Sequence, residues 1–199
     1  MAGAFPISTA QFTSLGIKSI QNTIISKSVS GKKLARQIDG QRWAFTIQII
    51  TAKRSDVYGD LMAFIVKQRS GKENFTIIPP EIEDARGTAS GTPNGTASAG
   101  ATSITLGGSG TGTLKAGDFI KFASHDKVYM VVADQSDIST GSLTIEPPLI
   151  TAVSSSDITY DNVPFTVHLT NDVQEFGAVG NDKDGNLLYQ FELDVEETL

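Results

Sequence analysis

Two runs of strict alternation lie far apart in the chain, and a long stretch of different character separates them. Trp43, Phe45, Ile47 and Ile49 alternate with Ala44, Thr46 and Gln48. Near the other end, Leu187, Tyr189, Phe191, Leu193 and Val195 alternate with Leu188, Gln190, Glu192 and Asp194. A period of two puts successive side chains on opposite faces, so each run predicts a strand with one buried face. Val163, Phe165, Val167 and Leu169 repeat the pattern. The first third has too few strands to close a sheet alone, and the C-terminal strands most simply complete it. The spacing therefore predicts a discontinuous domain, residues 1–86 plus 161–199, interrupted by an insertion over 87–160. If so, removing 87–160 and joining the ends should leave a folded domain.

Within the first third the order reads strand, strand, strand, helix, strand. Ser19–Ser28 sets Ile20, Asn22 and Ile24 on one side against Gln21, Thr23 and Ile25 on the other. Ser30-Gly31 and Asp39-Gly40 are turn chemistry on either side of Leu34–Ile38. The period then changes: Val57, Leu61, Phe64, Ile65 and Gln68 form a helical stripe, with Ser55 as N-cap and Gly71 as terminator. One amphipathic helix of about four turns results. Asn74–Ile78 returns to strand and ends at Pro79-Pro80, neither of which donates to a ladder. Trp43, Phe45, Phe64, Phe165 and Phe191 are the expected core of this domain.

From residue 86 bulky side chains nearly vanish, and 8 of the 19 glycines fall between 87 and 112. This stretch reads either as a linker or as a poorly packed outer strand turning at Asn94-Gly95. Short punctuated strands follow around Ile104 and Leu106, Phe119–Phe122, Lys127–Val132, Ser142–Glu146 and Leu149-Ile150. About five strands without a helix predict a small closed barrel.

Composition narrows the chemistry. The chain has 199 residues, no Cys, and a net charge of −6. Disulfides, thiolate metal sites and cysteine nucleophiles are excluded. Charge is asymmetric: residues 1–86 hold 12 Lys+Arg and 7 Asp+Glu, net +5, whereas 87–199 hold 4 and 15, net −11. Such polarity is either drift on a solvated surface or a means of setting register between copies. The N-terminal residues carry no basic-then-apolar leader pattern, and no apolar run approaches a spanning length.

Candidate catalytic groups are few. His125 sits in a turn and His168 points away from Val167 and Leu169, 43 positions on, with no Gly-x-Ser-x-Gly elbow and no zinc spacing. Asn181–Asn186 has the look of a calcium loop, but Gly180 and Phe191 stand where ligands are needed, and Asp184-Gly185 reads as a hairpin turn. Gly107–Gly112 lacks the tail of a phosphate loop. The barrel, net −3 with four aromatics, is disfavoured as a nucleic-acid binder, and a sugar site is less easily dismissed. The expectation is a non-enzymatic protein without cofactor or metal.

The order of elements, together with Leu114-Lys115-Ala116-Gly117-Asp118, the following Ser124-His125-Asp126-Lys127-Val128-Tyr129 and the closing Glu196–Leu199, resembles the distal tail proteins of long-tailed bacteriophages. The likeness is to the coliphage type with an OB-fold inserted in its ring-forming domain. The motif residues are Lys115, Ala116, Gly117 and Asp118, then Lys127, Val128 and Tyr129. The resemblance implies a mainly β chain, with a tail-tube-like β-sandwich or split barrel, one flanking α-helix and an inserted OB-fold-like five-stranded barrel. It further implies a structural virion protein, made in the bacterial cytoplasm and residing at the distal end of the tail. There a hexameric ring of this protein would join the tail tube protein to the tip or baseplate hub and leave a channel for DNA. The insert would face outward toward collar or side-fibre proteins, with no sequence-specific nucleic acid and no membrane among the partners. Two alternatives stay open: another tail ring (tube, neck or tail-completion subunit), or a surface module whose barrel binds polysaccharide.

Overall fold

A computed structural model describes residues 3–6 and 11–199, with Asp39 described by its backbone alone. The leader reading of the N-terminus falls partly on Met1 and Ala2, outside the described residues. The chain is mainly β, with a sheet flanked by one α-helix and a closed six-stranded barrel. Among the described residues no helix is long and apolar enough to cross a membrane.

The sheet begins with β1 (Phe12–Lys27) and β2 (Lys33–Lys53). It is completed by β3 (Phe75–Ile77), β10 (Phe165–Leu169), β11 (Gly177–Asn181) and β12 (Leu187–Glu197). Its order is β1-β2-β12-β10-β3, with β11 pairing off β12. Trp43, Phe45, Ile47 and Ile49 point to the buried face, where they meet Phe165, Val167, Phe191, Leu193 and Val195. Phe45 and Phe165 cross edge to face at 4.9 Å, a favoured aromatic geometry. Phe64 is half-buried at the margin of this core, between Phe5 and Phe75.

Three local expectations change. Leu34–Ile38 and Trp43–Ile49 are not two strands about an Asp39-Gly40 turn but parts of one 21-residue strand, β2. Ile20 pairs with Arg42 and Asn22 with Ile38, so residues 39–41 bulge opposite Gln21. Gly40 takes φ +106° there, a value L side chains rarely adopt. The expected four-turn helix divides into a π-turn over Arg54–Tyr58 and α1 (Gly59–Lys67). Ser55 is not its cap; its hydroxyl donates to the Asp56 carboxylate at 3.1 Å. A Cβ on Gly59 would lie 2.8 Å from the Arg54 carbonyl, so the wide turn needs glycine at that point.

The barrel comprises β4 (Pro93–Ala97), β5 (Ser103–Gly108), β6 (Phe119–Phe122), β7 (Val128–Val131), β8 (Ser142–Glu146) and β9 (Val153–Thr159). It closes in the order β4-β5-β8-β7-β6-β9, six strands where the sequence predicts about five. The glycine-rich stretch supplies β4, because its backbone itself is part of the filling. A Cβ on Gly95 would lie 2.7 Å from Ile104 and 2.8 Å from Phe122. Leu149-Ile150 is not a strand: Leu149 is buried, bonded through its backbone to Gly100 and Ala101. β9 takes its place, hidden in the sequence because its inward positions are Val153, Ser156 and Ile158.

The barrel leaves the sheet after β3 and returns at β10, two strands paired Phe165 to Ile77. It thus occupies the place of a hairpin loop. Its two linkers bond to each other, Ala85 N–H to the Tyr160 carbonyl at 2.9 Å and Val163 N–H to the Glu83 carbonyl at 3.0 Å. The barrel does not hang free, because Phe119 and Val128 belong to the core of the sheet. Trp43 crosses Phe119 edge to face at 5.1 Å, and its indole N–H donates to the Val128 carbonyl at 3.0 Å. Trp43→Ala is expected to cost roughly 3–5 kcal/mol, read as a lowered urea midpoint or as insoluble protein.

Candidate assembly surfaces

The seam between sheet and barrel holds the most constrained polar cluster of the described residues. Glu197 continues the inward phase of Phe191, Leu193 and Val195 and is fully buried. Its carboxylate accepts the Val128 N–H at 2.8 Å and the Trp43 N–H at 3.1 Å. It also pairs with the Lys127 ammonium, whose side chain is equally buried. Lys127 donates further to the Gln41 side-chain carbonyl at 2.8 Å and lies over the Trp43 ring. Gln41, beside the β2 bulge and in phase with Trp43, faces inward, where its amide also donates to Ser19 at 3.0 Å. Burial pushes Lys127 down and Glu197 up, each toward its neutral form, and pairing opposes both shifts. Such a pair adds little net stability but cannot lose one member cheaply.

The other motif residues have separate work. Asp118 is buried and accepts the Lys115 N–H at 2.7 Å, closing the turn in which Gly117 takes φ +98°. The same carboxylate accepts the Arg86 backbone N–H at 3.2 Å and pairs with its guanidinium at 3.1 Å. Ala116 accepts from Arg86 and donates its N–H to Asp134 at 2.9 Å. Lys115 pairs with Asp134 on the surface. Lys115–Asp118 therefore clamps the entering linker to the barrel. Lys127 and Val128 form the seam, while Tyr129 lies in the barrel interior.

His125 is more than a turn residue. It stacks on Phe122 and shares a 2.8 Å hydrogen bond with the Tyr129 hydroxyl, which accepts the Ile150 N–H at 3.2 Å. Burial lowers the His125 pKa and pushes the Tyr129 phenol up to about 12. The unfolded chain binds a proton at His125 before the folded one does. Stability is therefore complete above the ordinary histidine range and falls as pH drops through it toward the lower folded value. Melting curves from pH 7.5 to 5 should show this loss, and His125→Gln should flatten that part of the slope. An equal slope in both proteins would refute it.

His168 shares a bond with Thr198 at 3.0 Å, on the sheet and apart from His125 in the barrel. Asp182 of the calcium-like loop accepts from the Asp184 and Asn186 backbone at 2.8 Å each and pairs with Lys53 at 2.5 Å. It closes the β11–β12 hairpin, and the Lys53 ammonium holds its carboxyl far below the usual range. Among the described residues no group of three or more His, Asp or Glu is placed to hold a metal.

Two surfaces remain. Among the described residues the distal halves of β1 and β2, Asn22–Lys27 against Lys33–Ile38, pair only with each other, and form an arm beyond the reach of β12. Ile24, Ile25 and Leu34 on it are each more than half exposed. On the solvent face of the sheet, β12 presents Glu192, Asp194 and Glu196, bonded to Gln48, Thr46 and Arg42.

Sequence reasoning missed Gln41, Arg86 and Glu197. Gln41 is in phase with Trp43–Ile49 and Glu197 with Phe191–Val195, so a polar residue on an apolar face was the available signal. Arg86 gave none.

The barrel is clamped into the sheet, and the buried polar cluster of Lys127, Glu197 and Gln41 joins the two bodies. Residues 83–163, the barrel with both linkers, match the family described as distal tail protein pb9, B domain. The match supports a phage distal tail protein, a structural component of the virion. No curated protein matches the chain.

Proposed function

We propose that this chain is the subunit of a hexameric ring at the distal end of a phage tail. The ring is coaxial with the tube, joins the tube protein to the tip or baseplate hub, and leaves a channel for DNA. The observation that carries this reading is the arm: two strands with apolar residues on both faces, beside a barrel of the distal-tail class. A sheet that ends in such an arm is incomplete as a monomer. The chain's net charge of −6 supports a lumen that passes DNA without gripping it, since phosphate binding runs on Lys and Arg. The barrel, attached where a hairpin loop would be, faces outward and carries collar or side-fibre proteins.

Antibody labelling of intact virions tests the reading. Label at the tail end away from the capsid is expected. Label at the neck or along the tube would assign the chain to another tail ring. Absence from every tailed particle would refute the assignment and leave polysaccharide binding by the barrel, to be read on a glycan array.

A further inference from the structure

The arm has a chemistry of its own. Between Asn22 and Ile38 it carries Lys27, Lys32, Lys33 and Arg36 and no acidic residue. None of these four forms an ion pair among the described residues. Alternation puts Ile20, Ile24, Leu34 and Ile38 on one face, all exposed, with Arg36 directly opposite Ile24. The result is an apolar stripe that carries Arg36, with Lys27 and Lys33 on the opposite face of the hairpin.

A surface of the opposite character lies at the other end of the sheet. A groove runs between segment 171–175, β11 and the solvent face of β12, lined by Val173, Glu175, Val179, Glu192 and Asp194. Val173 and Val179 are exposed apolar residues. Glu175, Glu192 and Asp194 have no cationic partner in any ion pair among the described residues. Apolar residues flanked by anions thus match an apolar stripe that carries a cation. Arg36 and Gln48, which mark the two surfaces on β2, lie opposite Ile24 and Ser14 of β1, ten residues apart and roughly 33 Å. One chain cannot bring its own arm to its own groove.

We infer that the arm of one copy docks in the acidic groove of a second copy, Ile24 and Leu34 against Val173 and Val179, with Arg36 facing Glu175. Two different patches meet, so the contact is heterologous and propagates from copy to copy until it closes. The inference rests on the ring reading and names the surfaces that make it. Charge sets the register and the apolar stripe holds it.

A chain without cysteine allows a direct test. Full-length Ile24→Cys and Val179→Cys proteins are mixed at high concentration with a short bismaleimide, beside a control pairing Ile24→Cys with Val132→Cys on the exposed barrel. The 24–179 mixture is expected to give a covalent dimer and the control none, and a chain carrying both substitutions should give a ladder of multimers. Arg36→Glu should weaken association about tenfold, and Glu175→Lys in the partner copy should restore much of it. No 24–179 product, or equal yield with the control, would overturn the docking. Electron microscopy of the same samples separates the two claims. Closed rings without the product would overturn the docking and spare the ring, and product in open chains would do the reverse.

Discussion

Lys127→Met should lower the stability of the whole chain by about 3–5 kcal/mol. The substitution leaves Glu197 buried, with the Val128 and Trp43 N–H groups still aimed at it but no compensating cation. Water cannot replace the ammonium in a seam walled by Trp43, Phe119 and Val128. At 2–4 °C per kcal/mol for a chain of this size, the melting temperature should fall on the order of 10 °C. The double variant Lys127→Met/Glu197→Gln should recover most of the loss, because it leaves no buried charge and keeps an amide oxygen for the Val128 and Trp43 N–H groups. The wild-type protein should unfold in one transition, as the seam couples barrel to sheet, and Lys127→Met should separate the two. An unchanged midpoint in the single variant would show that the pair is not buried.

Excision of residues 87–160 should not leave a cooperatively folded sheet, whatever linker joins the ends. The sequence alone predicts the opposite, because the first third reads as too few strands to close a sheet and the C-terminal strands most simply complete it. What the excision removes is part of the sheet's own core: Phe119, Val128 and the Lys127 ammonium. Trp43 would be uncovered and Glu197 left without its cation, a loss of several kcal/mol against the 5–15 kcal/mol that holds a typical domain. Adding Glu197→Gln and Trp43→Thr to the excised chain should restore cooperative unfolding. A cooperative transition in the excised chain without those changes would mean the barrel is only hung on the sheet.

These two expectations show where the sequence was readable. Strands with one greasy face, such as Trp43–Ile49 and Phe191–Val195, announce themselves because burial and period coincide. β4 and β9 do not, since Gly95 fills the barrel with backbone and Ser156 with a small polar group. The split of β2 into two strands failed at Gly40, where a bulge uses the same residues as a turn. Of the motif, Lys115–Asp118 and Lys127–Tyr129 were visible as residues, but their work was not. Lys127 acts on Glu197, 70 positions away, and Asp118 on Arg86 across the linker. Pairings of that range are set by the assembled fold, and a local pattern carries only half of each. Polar residues standing in an apolar phase, Gln41 and Glu197, are the marks such pairings leave in a sequence.

The most direct measurement is an electron cryomicroscopy map of the tail end away from the capsid. The expected result is a six-fold ring coaxial with the tube. The sheet should line its channel, and the barrel should stand on its outer surface. A ring of another symmetry, a barrel facing the channel, or density for this chain only at the neck would contradict the proposed role.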